Sequence, residues 1–457
     1  MTAPVDEKPA IPQRLVLVLP TTAEFDSRTY RVATSAVRRG HRVTVLARWA
    51  PGLARDEQHP GGYRIVRVPV SAVDGLPLPA GIRAAIARRR TPRTRASDGA
   101  ADGDAGPAST SASGPGRPAG GSIIRRVRQA WAATVRIAAI VLVVRAQTRA
   151  TRAVDPGADL YHAMAYMGIP VALALAGRSG GRVIYDARDI YVDANNLARL
   201  PGPFRRVLAR LERGWARRAD AVVTVNRPYA EVMSRRWDLP LPLIVMNCAY
   251  RREPVDPPVR RFHERFGLDP ATAVVLYQGG LAAHRGIEQL LDAIGSVPQA
   301  VLVLLGYGPL ESTYRSRATQ PVFAGRVHVM SAVQPTELLD WVAAADIVAM
   351  PIQPSTLNHR LTTPNKLFEA LATGVPVVAS DLPGMAGVVR ETDCGLLVDP
   401  TDPTAISGAI REILEWTPEV RRGHRERALA AAHETYNWES QADRLFGRYA
   451  ELTGRAW

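Results

Sequence analysis

Three polar residues stand at a helix start suited to an anion. In the stretch 362–379, Thr-Thr-Pro-Asn-Lys-Leu-Phe-Glu-Ala-Leu-Ala-Thr-Gly-Val-Pro-Val-Val-Ala, Asn365, Lys366 and Glu369 fall in the first turns of a helix. Pro364 suits its opening turn and Gly374 its end. Leu367, Phe368 and Leu371 give the helix an apolar face, and Val375–Ala379 reads as a short buried strand after it. A helix start presents free N–H groups and the positive end of the helix dipole. A lysine added there is favourable only with an anion bound, so the pattern predicts a phosphate. The alternative is a solvated lysine beside a glutamate that favours the first turn.

Two further junctions repeat the theme. Gly279-Gly280 follows the apolar run Val-Val-Leu-Tyr-Gln and permits close approach of the backbone to a ligand. Arg285 precedes the helix 286–294, and Gly306-Tyr307-Gly308-Pro309 forms a third compact loop. Arg285 and Lys366, cations at separate strand–helix junctions, suit a diphosphate clamp. In the first half of the chain His162, Asp186, Arg188 and Asp189 fall at the ends of strands, where ligands collect in open α/β sheets. A single such residue is more often structural; four at neighbouring strand ends make a candidate group.

The elements that position these residues alternate strand and helix. Residues 14–20 are an apolar run of the kind found in central parallel strands, a helix extends to Gly40, and 41–47 and 63–68 are further strands. The first loop has no glycine run, so the dinucleotide fingerprint is absent. Residues 182–186, 221–225 and 243–246 continue the strand series; a second series begins at Ala273. Residues 250–270, rich in Pro and Arg, mark the boundary. The expected organisation is 1–255 as a first domain, 256–433 as a second, and 434–457 as a helix long enough to pack elsewhere on the molecule. Residues 91–121 hold little to bury and read as a disordered insert.

The chain carries 58 basic against 43 acidic residues, a net charge of +15, which favours an anionic partner. Basic residues are split among helices and a linker without an aromatic platform, which argues against nucleic acid. Cys248 and Cys394 form no disulfide framework, and no clustered ligand set suggests a metal. Residues 1–12 lack a secretory profile, so a cytoplasmic location is expected. Residues 122–151 read as a helix rich in Arg, with Trp131 and aliphatic residues. Its longest purely apolar run, 137–144, is too short to span a bilayer. Peripheral contact with the anionic inner face of a plasma membrane and a domain helix with a solvated Arg face both fit it.

Gly279–Glu288, Gly306–Pro309 and above all Asn358–Pro376 resemble the retaining, nucleotide-sugar-dependent glycosyltransferases of family 4. The Pro-Asn-Lys-Leu-Phe-Glu run is similar to a subgroup that assembles cell-surface polysaccharide or glycolipid. The resemblance implies the GT-B architecture: two facing Rossmann-like domains, α/β throughout, with a nucleotide-sugar cleft between them. It implies transfer of a hexosyl group from a nucleoside diphosphate sugar to a hydroxyl of a glycan or lipid-linked acceptor, with no metal cofactor. Arg285 takes the place of a diphosphate-binding lysine, and Lys366 is a second cation. Gly280 stands where that family has an arginine, so Lys366, Arg360 or His359 supplies the missing charge. Glu369 matches a ribose-contacting glutamate, whereas its usual partner eight residues earlier is Leu361. Donor-sugar contacts then fall to Asn358, His359 or Asn365. His162 lies two residues before the place of a frequent family histidine, where Met164 stands; His162 or Asp186 orients the acceptor hydroxyl. The helix after Trp438 resembles a segment that crosses back onto the first domain. A sugar-nucleotide epimerase of the same architecture and a non-catalytic nucleotide-sugar-binding protein are the alternatives.

Overall fold

The computed structural model describes residues 11–24, 26–72, 74, 120–253 and 260–457, with the backbone alone for 120–129, 195 and 196. Most of the expected insert lies outside the described residues, and a helix has already begun at Gly120.

Two sheets form two Rossmann-like domains, the α/β architecture expected from the alternation of elements. The first contains β1 (Arg14–Val18), β2 (Arg42–Arg48), β3 (Asp56–Gln58), β4 (Arg64–Val68), β5 (Leu160–Met164), β6 (Arg182–Asp186), β7 (Ala221–Thr224) and β8 (Leu243–Ile244). Their order is β3-β4-β2-β1-β5-β6-β7-β8. All pairings are parallel except β3 with β4. β3 has the polar sequence Asp-Glu-Gln, so no apolar run announces it. The second sheet contains β9 (Ala273–Gly280), β10 (Ala300–Tyr307), β11 (Val327–Met330), β12 (Ile347–Met350), β13 (Val377–Ser380) and β14 (Gly395–Val398), in the order β11-β10-β9-β12-β13-β14. It is parallel throughout.

Each sheet is covered on both faces, which is why its strands read as near-continuous apolar runs. On the first sheet one face packs Leu15, Leu17, Val45 and Ile184 against Trp438, Leu445, Phe446 and Tyr449. These last four belong to the helix Trp438–Thr453, which is capped by the Asn437 side chain and lies on the first domain although it follows the second in sequence. Trp438 Nε1 donates to Ser35 Oγ at 2.8 Å, so the largest buried ring in that core is also satisfied as a donor.

Strand order reverses between β1 and β5 and between β9 and β12. At such switch points the loops leave in opposite directions and open a crevice at the carboxyl ends of the strands. The loop after β9 carries Arg285, and the chain beyond β12 reaches Lys366; these two cations flank the second switch point.

The helix Gly120–Arg152 spans about 50 Å at 1.5 Å per residue. Its Ala133, Ala146, Gln147 and Thr151 are buried, and Gln147 Nε2 donates to the Leu19 carbonyl at 2.6 Å. By length and composition Ala130–Arg152 is apolar enough to cross a membrane, although its longest unbroken apolar run is short. In the structure it is a first-domain helix packed along one face, with most of its apolar stretch not buried.

Candidate active site

The helix Asn365–Thr373 starts with Pro364 at its cap rather than in the first turn, and Gly374 ends it in the left-handed region at φ 67°. Lys366 and Glu369, three residues apart, share one face, and both are buried at 8% exposure. The solvated-lysine alternative therefore fails. Lys366 Nζ sits 3.5 Å from the Tyr277 ring centroid, a cation–π contact at the end of β9. Among the described residues it has no carboxylate within salt-bridge distance. Burial and the nearby Arg285 guanidinium hold its pKa well below the ordinary lysine value, against a smaller opposing pull from Glu369. Burial likewise pushes the Glu369 carboxyl up, and Arg31, a hydrogen bond from Gln278 and Lys366 draw it back. Gln278 Nε2 donates to Glu369 Oε2 at 3.4 Å.

The glycines make room around this pair. Gly279 has φ 123°, and a Cβ there would lie 3.6 Å from Lys366 Nζ. Gly306 is paired with Gly279 across β9 and β10. A Cβ on Gly306 would come within 1.9 Å of the Gly279 carbonyl, so only glycine keeps the two strand ends this close. Gly308 brings the next loop against Leu281. Gly280 differs: a Cβ there meets nothing within 4 Å. Gly280→Arg is therefore expected to add a cation without displacing the backbone and to tighten nucleoside diphosphate binding about tenfold. Titration calorimetry with UDP and GDP checks this.

Arg285 is half-buried and lines a cavity of about 420 Å³ with His284, Tyr314, Gln353 and Ser355. His284 and His359 have ring centroids 6.3 Å apart, and a ring nitrogen of His359 hydrogen-bonds Ser355 Oγ at 2.8 Å. Asn365 is half-buried and Arg360 is exposed.

The structure thus gathers Gly279, Gly306, Arg285, Lys366 and Glu369 around one crevice, with His359 on the neighbouring short helix Leu357–Leu361. His162 and Asp186 are placed elsewhere. Both are completely buried in the first domain. His162 Nε2 lies 3.1 Å from Asp186 Oδ2 and its Nδ1 lies 2.6 Å from Tyr449 Oη. A carboxylate only accepts, so Nε2–H donates to Asp186 and the Tyr449 hydroxyl donates to Nδ1. Burial pushes the His162 pKa down despite the carboxylate, which agrees with the neutral tautomer. Arg28 Nε donates to the same Asp186 oxygen at 3.0 Å and its Nη1 to the Val245 carbonyl at 2.7 Å. Burial opposes the Asp186 charge, but Arg28 and His162 hold its carboxyl below the usual range. With no exposed atom, His162 and Asp186 do not meet the expectation that they orient an acceptor hydroxyl; they tie β5 and β6 to the helices Ser27–Arg38 and Trp438–Thr453.

The first-domain loop after β6 splits its polar residues. Arg188 Nη1 donates to Asp26 Oδ1 at 2.8 Å, whereas Asp189 Oδ1 accepts from Asn358 Nδ2 of the second domain at 2.9 Å. The Asn358 amide oxygen and one of its two amide N–H groups are engaged by first-domain groups. Sequence reasoning also missed Arg31, whose Nη1 donates to Asn247 Oδ1 at 2.6 Å and whose charge reaches Glu369 across the cleft. The available signal was an Arg28–Arg31 pair on a helix with Val32, Ala33 and Ala36 among its apolar residues.

Two facing Rossmann-like domains with cations at the switch point of the second define a GT-B fold. The chain is related to the GT-B glycosyltransferases. Residues 272–415 match the family model described as "Glycosyl transferases group 1". The chain is 29% identical over 269 residues to a D-inositol 3-phosphate glycosyltransferase of Xylanimonas cellulosilytica, covering 56% of this chain and 62% of the relative. It is 30% identical over 199 residues, 42% of this chain and 51% of the relative, to a GDP-mannose-dependent alpha-(1-6)-phosphatidylinositol monomannoside mannosyltransferase of Mycolicibacterium smegmatis. The alignments thus span between about half and three fifths of these curated relatives. Sucrose-phosphate synthase from Thermosynechococcus elongatus superposes with a TM-score of 0.67 at 19% identity, over 97% of this chain and 99% of that one. This last likeness is one of fold. Among the described residues no group of three or more His, Cys, Asp or Glu is arranged to hold a metal ion.

Proposed function

We propose that the chain is a retaining glycosyltransferase that moves a hexosyl group from a nucleoside diphosphate sugar to a hydroxyl of a glycan or glycolipid acceptor. The observation that carries this reading is the pair Lys366 and Arg285. Both are cations held near each other at two strand–helix junctions, with no salt-bridge partner among the described residues. Such a pair is unfavourable until an anion lies between its members, and a diphosphate supplies that anion. In transfer from a nucleotide sugar, negative charge grows on the departing diphosphate. Fixed positive groups in a water-poor crevice stabilise that state more than the ground state. Glu369 is assigned to the donor ribose. His359 and Asn365 are assigned to the donor side of the crevice, and Gly279, Gly306 and Gly308 to the close approach of the phosphates. The relatives' names, with inositol phosphate and phosphatidylinositol acceptors, support a polyol or glycolipid acceptor.

The test is a donor panel incubated with a lipid extract and with soluble glycans, following nucleotide release and new product. Release that depends on an acceptor and yields an elongated glycan or glycolipid is expected. Donor conversion without any acceptor would instead identify an epimerase, and binding without turnover on the whole panel a non-catalytic protein.

We further propose that the first domain contacts the anionic inner face of a membrane through the helix that contains Trp131. Trp131, Val135 and Val207 are exposed at 70%, 50% and 43%, on neighbouring helices that share an apolar cluster containing Ala133, Val192, Leu200 and Leu208. Exposed Arg136, Arg206 and Arg210 accompany them. Because Ala133, Ala146 and Gln147 anchor the long helix, deleting it would damage the fold, and surface changes are the proper test. Trp131→Ser with Val135→Ser is expected to weaken binding to phosphatidylserine-containing vesicles, read by flotation, by about 30-fold or more, through removal of about 2–4 kcal/mol of apolar contact. Unchanged flotation would reject membrane contact through this helix.

A further inference from the structure

The segment between β12 and Lys366 belongs by sequence to the second domain, yet the Asn358 and Thr363 side chains within it are bonded to the first. Asn358 Oδ1 accepts from the Ile190 backbone N–H at 2.8 Å and from the Tyr229 hydroxyl at 2.7 Å. The same hydroxyl is 2.9 Å from the Asn358 carbonyl, so it is a shared donor. Asn358 Nδ2 donates to Asp189 Oδ1 at 2.9 Å. Five residues further on the pattern recurs: Asn226 Nδ2 donates to Thr363 Oγ1 at 2.9 Å and to the Leu361 carbonyl at 2.7 Å. Thr363 Oγ1 then donates to the Gly384 carbonyl at 2.7 Å within the second domain. Leu357 and Leu361, one helical turn apart, pack on a first-domain cluster that includes Ile190 and Tyr229.

We infer that Asn358 is a positioning residue that fastens the loop ahead of Lys366 to the first domain, so that cleft closure and assembly of the phosphate site are one event. Four features support it. The amide is buried at 6% exposure, and both its oxygen and its nitrogen have partners on the opposite domain. Leu361 stands where the resemblance places a sugar-binding carboxylate, and it makes an apolar interdomain contact instead. Thr363, fixed by Asn226, is three residues from Lys366 and hydrogen-bonded to the helix that begins at Pro383. Tyr229 lies within electrostatic reach of Arg285, so the fastening sits beside the second cation as well. When the domains part, the loop must either release the first domain or pull the start of the Lys366 helix with it. Either way the clamp is complete only in the closed form.

The inference rests on the two-domain cleft of the proposed function, and its test separates the two. In the full chain, Asn358→Asp sets a second carboxylate against Asp189. The double exchange Asp189→Asn with Asn358→Asp restores one donor and one acceptor at every contact. Small-angle scattering without ligand reads the domain separation, and calorimetry with UDP and GDP reads the phosphate site. Asn358→Asp is expected to enlarge the radius of gyration and weaken the better-bound nucleotide tenfold or more, while Asp189→Asn alone and the double exchange stay within about threefold of the parent. Thermal unfolding that shows the variants folded keeps the comparison valid. An unchanged radius with unchanged affinity in Asn358→Asp, or a double exchange as impaired as the single change, overturns the inference. If neither nucleotide binds the parent chain, the donor reading fails, and the scattering result still decides the fastening.

Discussion

Replacing Lys366 with alanine is expected to lower nucleotide release from a matched donor sugar by about 100- to 1000-fold, the usual cost of removing one preorganised charge from a transition state. The argument starts from where the ammonium sits. It is buried, its Nζ lies over the Tyr277 ring and within electrostatic reach of Arg285, and Glu369 stands one helical turn away on the same face. Holding a cation there is unfavourable in the empty crevice and becomes favourable as charge develops on a diphosphate. Lys366→Met keeps the aliphatic stem over Tyr277 and removes only the charge, so it should lose nearly as much activity with a smaller loss of stability. Turnover and donor affinity that are both unaltered in Lys366→Ala would remove the clamp from the mechanism. The pH dependence follows from the same environment. Burial and Arg285 lower the pKa of the free protein's Lys366, and a bound diphosphate favours the protonated form. At pH values above that lowered pKa, binding must take up a proton, so nucleotide affinity falls as pH rises, by at most about tenfold per unit. Below it the charge is already present and the slope vanishes. Lys366→Met should lack this slope.

The second large effect is on stability. Arg28→Met is expected to destabilise the first domain by about 3–5 kcal/mol, because it leaves Asp186 as an uncompensated buried charge. The two side chains are 0% exposed, their ion pair is 3.0 Å long, and Arg28 also serves the Val245 carbonyl. Urea unfolding followed by circular dichroism measures the loss. Activity per folded molecule should change little, since neither group reaches the crevice. The Asp186 carboxyl, lowered below its ordinary 3.8 by Arg28 and His162 against the cost of burial, contributes stability that is fully present above that value. The contribution is lost as pH falls below 3.8 towards the folded-state value, so the parent protein should lose stability in acid more steeply than Arg28→Met.

These two clusters show how differently the chain disclosed its parts. Buried parallel strands must be apolar on both faces, so Leu15–Val18, Val183–Tyr185 and Val274–Tyr277 announced the two sheets in the sequence itself. The strand-then-helix rhythm around them implied parallel pairing, which requires crossovers. Lys366 and Arg285 were legible for a related reason: the end of a strand and the start of a helix are fixed by local signals, and a cation placed there is locally unfavourable. Gly279 and Gly306 were visible as glycines, but the 1.9 Å clash that demands the second arises only when β9 and β10 pair.

What tertiary structure alone decided was the direction in which each polar side chain points. Asp186 ends β6, but β5 runs two residues past His162 to Met164, so the strand end expected at His162 is not there; only the return of the helix Trp438–Thr453 shows that their shared face is covered by Tyr449. Asn358 lies in a run that resembles a donor site, and its partners Asp189, Ile190 and Tyr229 are more than a hundred residues away in the chain. The strength of a hydrogen bond depends on distances of tenths of an ångström, which sequence spacing conveys only within one element. The local pattern therefore determined the sheets and the phosphate-binding helix start, while the packing of one domain on the other determined which polar residues face the cleft, which hold it shut and which are core.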